Sequence, residues 1–62
     1  MEITIVDESN VQDGRLQMQV DAMVKNGYNA HAIMHRLGTK ENISISIYQD
    51  GGRLIMRYHK RE

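Results

Sequence analysis

One stretch limits this chain more than any other. Residues 43–59 read ISISIYQDGGRLIMRYH. Ile43, Ile45 and Ile47 alternate with Ser44, Ser46 and Tyr48, and beyond Asp50-Gly51-Gly52 the residues Leu54, Met56 and Tyr58 alternate again. A period of two belongs to a strand with one buried face. Asp-Gly-Gly between two such runs is a hairpin signal, because glycine accepts positive φ. A two-residue Asp50-Gly51 loop would pair Ile47 with Leu54, Ile45 with Met56 and Ile43 with Tyr58. The other face would then pair Tyr48 with Arg53, Ser46 with Ile55 and Ser44 with Arg57. A one-residue slip would mix the two faces.

The turn phrase occurs twice. QDGRLQM begins at Gln12 and QDGGRLIM at Gln49. Upstream of the first copy, EITIVD (2–7) is rich in β-branched residues and reads as a strand. Downstream, RLQMQV (15–20) places Leu16, Met18 and Val20 on one side and Gln17 and Gln19 on the other. The repetition therefore predicts a second hairpin, with a loop over Glu8 to Gly14. The competing pattern is a helix from Val11, with Ser9 as N-cap and Gln12 completing a capping box. In that helix Leu16, Val20, Met23 and Val24 share a face. Gly14 inside it costs about 1 kcal/mol against alanine, which favours the hairpin.

The middle segment, DAMVKNGYNAHAIMHRLG (21–38), spaces Met23, Gly27, Ala30, Met34 and Leu37 as a helix does. Gly38 is a natural C-cap, and Arg36 in the last turn suits the helix dipole. Asn26-Gly27 is a potential break, with Asn29 capping a second segment, and residues 39–42 read as linker. The expected fold is α+β, ββαββ: two hairpins joined by a helix, one antiparallel four-stranded sheet, and the helix on its apolar face. The alternative is βααββ with a three-stranded sheet. Residues 23–38 also resemble the first half of a helix-turn-helix. However, KENISISIY alternates as a strand where the recognition helix should follow, so no residue role is carried over.

Sixty-two residues make one small domain (1–62) of marginal stability. Without cysteine there are no disulfides or thiolate metal sites. Self-association is the remaining source of stability, so a homodimer is expected. No apolar run approaches a membrane span, and no basic-then-apolar leader opens the chain, so a cytoplasmic protein without membrane contact is expected. Eight basic and eight acidic residues cancel, which argues against both a strongly DNA-binding protein and an acidic DNA mimic. The distribution is uneven. Residues 1–30 hold five acids and two bases, and residues 31–62 hold six bases and three acids.

Three groups of residues could carry chemistry. His31 and His35 lie one helical turn apart and could chelate a metal with a third ligand from His59, Asp21 or a partner chain. They read first as solvent-facing polar residues, and no metal or other cofactor is expected. Arg53, Arg57, His59, Lys60 and Arg61, with Ser44, Ser46 and Tyr48 beside them, form a potential nucleic-acid surface. Arg reads guanine and phosphate, and Tyr48 could stack on a base. The bland reading is a solvated strand face. Met18, Met23, Met34 and Met56 fall on faces assigned to the core. No catalytic constellation or phosphate-binding loop is present, and a pocket of enzymatic size, on the order of 300 Å³, is not expected in so small a chain. The sequence therefore points to a small non-enzymatic regulator, expected from its size to be a homodimer, that binds another protein. The alternative is a nucleic-acid-binding regulator using the basic C-terminal hairpin.

Overall fold

The computed structural model describes all 62 residues. A strand, β1 (Ile3–Val6), is followed by two helices, α1 (Gly14–Lys25) and α2 (Ala30–Glu41), and then by a hairpin of β2 (Ile43–Asp50) and β3 (Arg53–Lys60). The sheet has three strands in the order β1-β3-β2. β3 is central, antiparallel to β2 and parallel to β1, with Ile3 opposite Leu54 and Ile5 opposite Met56. Both helices cover one face, α1 against β1 and α2 against β2.

This corrects the expected ββαββ fold with its four-stranded antiparallel sheet. The order is βααββ, the sheet is mixed, and residues 15–20 are helical. Alternation over Leu16, Met18 and Val20 was only three apolar residues long. The helical spacing Leu16, Val20, Met23, Val24 continues to the end of the element. Leu16 and Val20 are fully buried, whereas Met18 is 74% exposed. Met18 is therefore not a core residue, unlike Met56, which has no exposed surface. Met23 and Met34 pack half-buried against the core.

The helix start explains why the repeated phrase misleads. Asp13, not Ser9, is the N-cap: its carboxylate accepts the Leu16 N–H at 3.0 Å. Residues 7–12 stay outside the helix because the Asp7 carboxylate accepts the N–H groups of Ser9 and Val11. In the second copy Asp50 ends a strand, and Gly51 turns the chain at φ +63°. One Asp-Gly pair thus starts a helix and the other closes a hairpin.

The hairpin itself is as expected, but its register is shifted by two. Asp50 pairs with Arg53, Tyr48 with Ile55, Ile47 with Met56, Ser46 with Arg57, Ile45 with Tyr58 and Ser44 with His59. The loop is Gly51-Gly52. A shift of two leaves every residue on its face, so the apolar pattern cannot detect it. The turn decides: positive φ at the first central residue alone is the II′ pattern, which places Gly there.

The helical segment breaks at Asn26, and Asn29 caps α2 by accepting the Ala32 N–H at 2.9 Å. α2 runs past Gly38 and stops at Asn42, which is left-handed at φ 55°. Gly38 is therefore an interior residue rather than a cap. A Cβ there would lie 3.2 Å from the Ile43 carbonyl oxygen, so the glycine lets α2 lie against the start of β2. Ile3, Ile5, Leu16, Val20, Ile33, Leu37, Ile43 and Met56 form the core between helices and sheet.

Two side chains bind the layers together. The Gln17 amide lies along the outer edge of β1: Ile5 N–H donates to its oxygen at 2.9 Å, and its nitrogen donates to the Ile3 carbonyl at 2.8 Å. It acts as a short extra strand. Tyr58 on β3 donates its hydroxyl to the Asp13 carboxylate. That bond, with the Leu16 N–H, holds the Asp13 carboxyl below its ordinary value of 3.8. The same carboxylate pushes the Tyr58 hydroxyl up to about 12. Arg15 and Glu41 form a two-pronged ion pair between the first turn of α1 and the last turn of α2, at 2.8 and 3.1 Å.

Two outcomes are expected. Gln17→Ala frees two backbone groups of β1, lowers stability by about 1–2 kcal/mol in urea titration, and speeds hydrogen exchange at the Ile5 amide. For Tyr58, the folded value lies above the unfolded value of 10.0, so its contribution is complete below pH 10 and is lost as pH rises toward about 12. For Asp13, the folded value lies below 3.8, so its contribution is complete above that pH and is lost as pH falls through the folded value. Tyr58→Phe removes the Tyr58 contribution to the alkaline slope and reduces that of Asp13 to the acid one, leaving the part that the Leu16 N–H supplies. Thermal melts across pH compare the two proteins.

Candidate binding face of the sheet

Because both helices lie on one side, the other face of the sheet has no layer over it. Alternation assigns to it Thr4 and Val6 of β1, Arg53, Ile55, Arg57 and His59 of β3, and Ser44, Ser46 and Tyr48 of β2. Six of the eight residues proposed for a nucleic-acid surface therefore share one face: Arg53, Arg57, His59, Ser44, Ser46 and Tyr48. Lys60 and Arg61 do not join them. Lys60 stands opposite Ile43, on the helix-side parity, and the Arg61 guanidinium reaches toward Gly38 on α2.

The centre of the face is apolar below and cationic above. Val6 and Ile55 are only 7% and 8% exposed although no helix covers them. Tyr48 lies beside Ile55, and the Arg57 guanidinium sits 5.7 Å from the centre of the Tyr48 ring. This is cation–π distance. The Ser46 hydroxyl donates to the Arg57 carbonyl at 3.3 Å. Arg57 has no carboxylate within ion-pair distance, since the one salt bridge of the chain is Arg15–Glu41.

Charge on the face is balanced rather than basic. Arg53 stands opposite Asp50 in the ladder and lines a shallow hollow with Glu2. At the far end, His59, Lys60 and Arg61 are interleaved with Asp7, Glu8 and Glu62. The acidic and basic halves of the sequence are therefore brought side by side by the parallel pairing of β1 with β3. The charge asymmetry seen along the chain does not become a basic surface.

His31 and His35 are both exposed on α2. No third ligand stands with them, because no group of three or more His, Cys, Asp or Glu residues is placed to hold a metal ion. Asp21 on α1 instead accepts the Gln17 amide nitrogen. A groove of about 620 Å³ between α1 and α2 is lined by Gln19, Met23, Tyr28, His35, Arg36 and Lys40, and Arg36 stacks on Tyr28 at 5.0 Å. It is larger than the pocket size expected for so short a chain, but it is an open furrow with no enclosed chamber.

The apolar floor of the open face was missed in the sequence, although its signal was there. Val6 and Ile55 are the two places where an aliphatic residue falls on the polar parity of its strand. No family model matches the chain, and no curated protein or solved structure matches it.

Tyr48→Ala and Arg57→Ala are each expected to cost less than about 1 kcal/mol, because the pair is exposed. The Arg57 side-chain protons should show an upfield ring-current shift in NMR spectra, and Tyr48→Ala should abolish it.

Proposed function

We propose that this protein is a small, non-enzymatic regulator that acts as a homodimer and binds another protein through the open face of its sheet. The observation that carries the reading is the cluster of Tyr48, Arg57, Ile55 and Val6 on a face with no covering layer. Tyrosine and arginine are the residues most enriched at protein-binding hot spots, where a desolvated centre is ringed by polar groups. Here the ring is Thr4, Ser44, Ser46, Arg53 and Asp50. A fitting partner presents an acceptor, carboxylate or carbonyl, to Arg57 and an apolar or aromatic group to Tyr48, which is 42% exposed beside the buried Ile55.

A second reading rests on the same pair: Tyr48 stacking on an exposed base with Arg57 on a phosphate. Charge weighs against it, since Asp50 and Glu2 offset Arg53 on this face and few phosphates could be neutralised at once.

A photo-reactive phenylalanine analogue at position 48 separates the two. The expected result is a covalent adduct with one protein of the native host. Binding of that purified protein should weaken about tenfold or more in Tyr48→Ala/Arg57→Ala and should change little with salt. The same label at exposed position 18 on α1 should give no adduct. Binding of random single-stranded DNA that collapses between about 50 and 200 mM salt, with no protein adduct, would replace this reading with the nucleic-acid one.

A further inference from the structure

The two edges of the sheet are treated differently by the chain. β1 is closed along its outer side: Gln17 bonds both Ile5 N–H and Ile3 C=O, Asp13 N–H donates to the Ile5 carbonyl, and Gln12 bridges to Val6. β2 has one neighbour, β3, and no side chain or loop bonds to its other side. The parity of its free groups is fixed. Leu54 N–H donates toward β1, at Glu2, and Arg61 N–H donates toward the β2 side, at Asn42. Odd residues of β3 and even residues of β2 therefore face each other. The backbone groups of Ile45, Ile47 and Gln49 point outward without partners, while the Ile43 carbonyl lies against Gly38 of α2.

Such an edge is ordinarily blunted by Lys, Pro, a bulge or a covering segment. From Ile43 to Gln49 this strand has no charge, no proline and no bulge. Its sequence is also complementary to itself. In antiparallel pairing about Ser46, Ile45 of one copy stands opposite Ile47 of the other, Ser46 opposite Ser46, and Ser44 opposite Tyr48. No like charges meet. Ile45 and Ile47, both half-buried at the margin of the core, would complete their burial against each other. Their outward N–H and C=O groups fall in register as hydrogen-bonded pairs.

We infer that a second copy of this chain pairs with the outer edge of β2, antiparallel and two-fold about Ser46, making one continuous six-stranded sheet. The inference rests on the homodimer part of the function proposed above and supplies its interface. α2, which packs over β2, then lies beside its counterpart. Both open faces fall on one side of the joined sheet, so the dimer presents two copies of the Tyr48–Arg57 cluster in the same direction.

The test uses the full 62-residue chain, which is short enough for chemical synthesis. Sedimentation equilibrium should give a concentration-dependent dimer. A backbone N-methyl group at Ile47 removes only an outward N–H, and it should weaken the dimer by at least about tenfold while circular dichroism of the monomer stays unchanged. Ser46→Cys sits where the two Cα atoms approach within disulfide range, in a protein with no cysteine of its own. It should oxidise to a covalent dimer, and Ser44→Cys should not. A dimer that survives N-methylation and fails to cross-link through position 46 overturns this interface while leaving a homodimer by another surface. A chain that stays monomeric up to about 1 mM, where only weak contacts would go undetected, overturns the interface and the homodimer together. Partner binding through Tyr48 would stand in either case.

Discussion

Asp13 is the point at which the elements of this fold are tied to one another. Its N–H donates to Ile5 on β1, one carboxylate oxygen caps α1 at Leu16, and the other receives the Tyr58 hydroxyl from β3. A single residue thus fixes where the first helix begins and how far it stands from both the edge strand and the central one. It does so with a charge that is only half-buried, so the carboxylate keeps part of its hydration while its hydrogen bonds are made inside the protein. Full burial would have added a desolvation cost.

The rest of the architecture follows from that placement. With α1 started at Gly14, Leu16 and Val20 point at the sheet, and Gln17 is carried one position round to lie along β1. Asn26 and Asn29 then turn the chain so that α2 returns antiparallel, and Arg15 meets Glu41 at the seam. Since both helices are used on one side, the sheet is left with one dry face and one wet face. The wet face keeps the two apolar residues, Val6 and Ile55, that no helix shields.

The C-terminal half was legible in the sequence because its alternation is long and uninterrupted. The faces of β2 and β3 could be assigned from Ile43 to Tyr58, and with them the grouping of Tyr48, Arg57, Ser44 and Ser46. Register was not legible, because a slip of two residues preserves every face and the choice lies in whether Asp50 or Gly51 is the first residue of the turn. The N-terminal half misled for a different reason. Three alternating residues are compatible with both a strand and a helix, and similarity to a real hairpin phrase outweighed the longer helical spacing. What Asp13 does could not be read locally at all, since its partners Ile5 and Tyr58 come from distant parts of the chain. The same holds for the interleaving of acidic and basic segments at the end of β3, which arises from the parallel pairing and has no local trace.

The parallel pairing of β1 with β3 has a kinetic side. Ile3 meets Leu54 across nearly the whole sequence, whereas β2 and β3 meet through a two-residue turn and α2 adjoins β2 directly. Contacts between distant segments carry the larger loop-closure entropy and form late. Loop closure therefore favours the hairpin and α2 as the earlier-forming part of the fold, with β1 expected to dock afterwards onto a central strand already held on its other side. Until it does, β3 exposes its apolar centre at Met56 and a second unpaired edge. The Gln17 clamp and the Asp13 knot act on that final strand, so in this order of assembly they slow its release rather than hasten the steps before it.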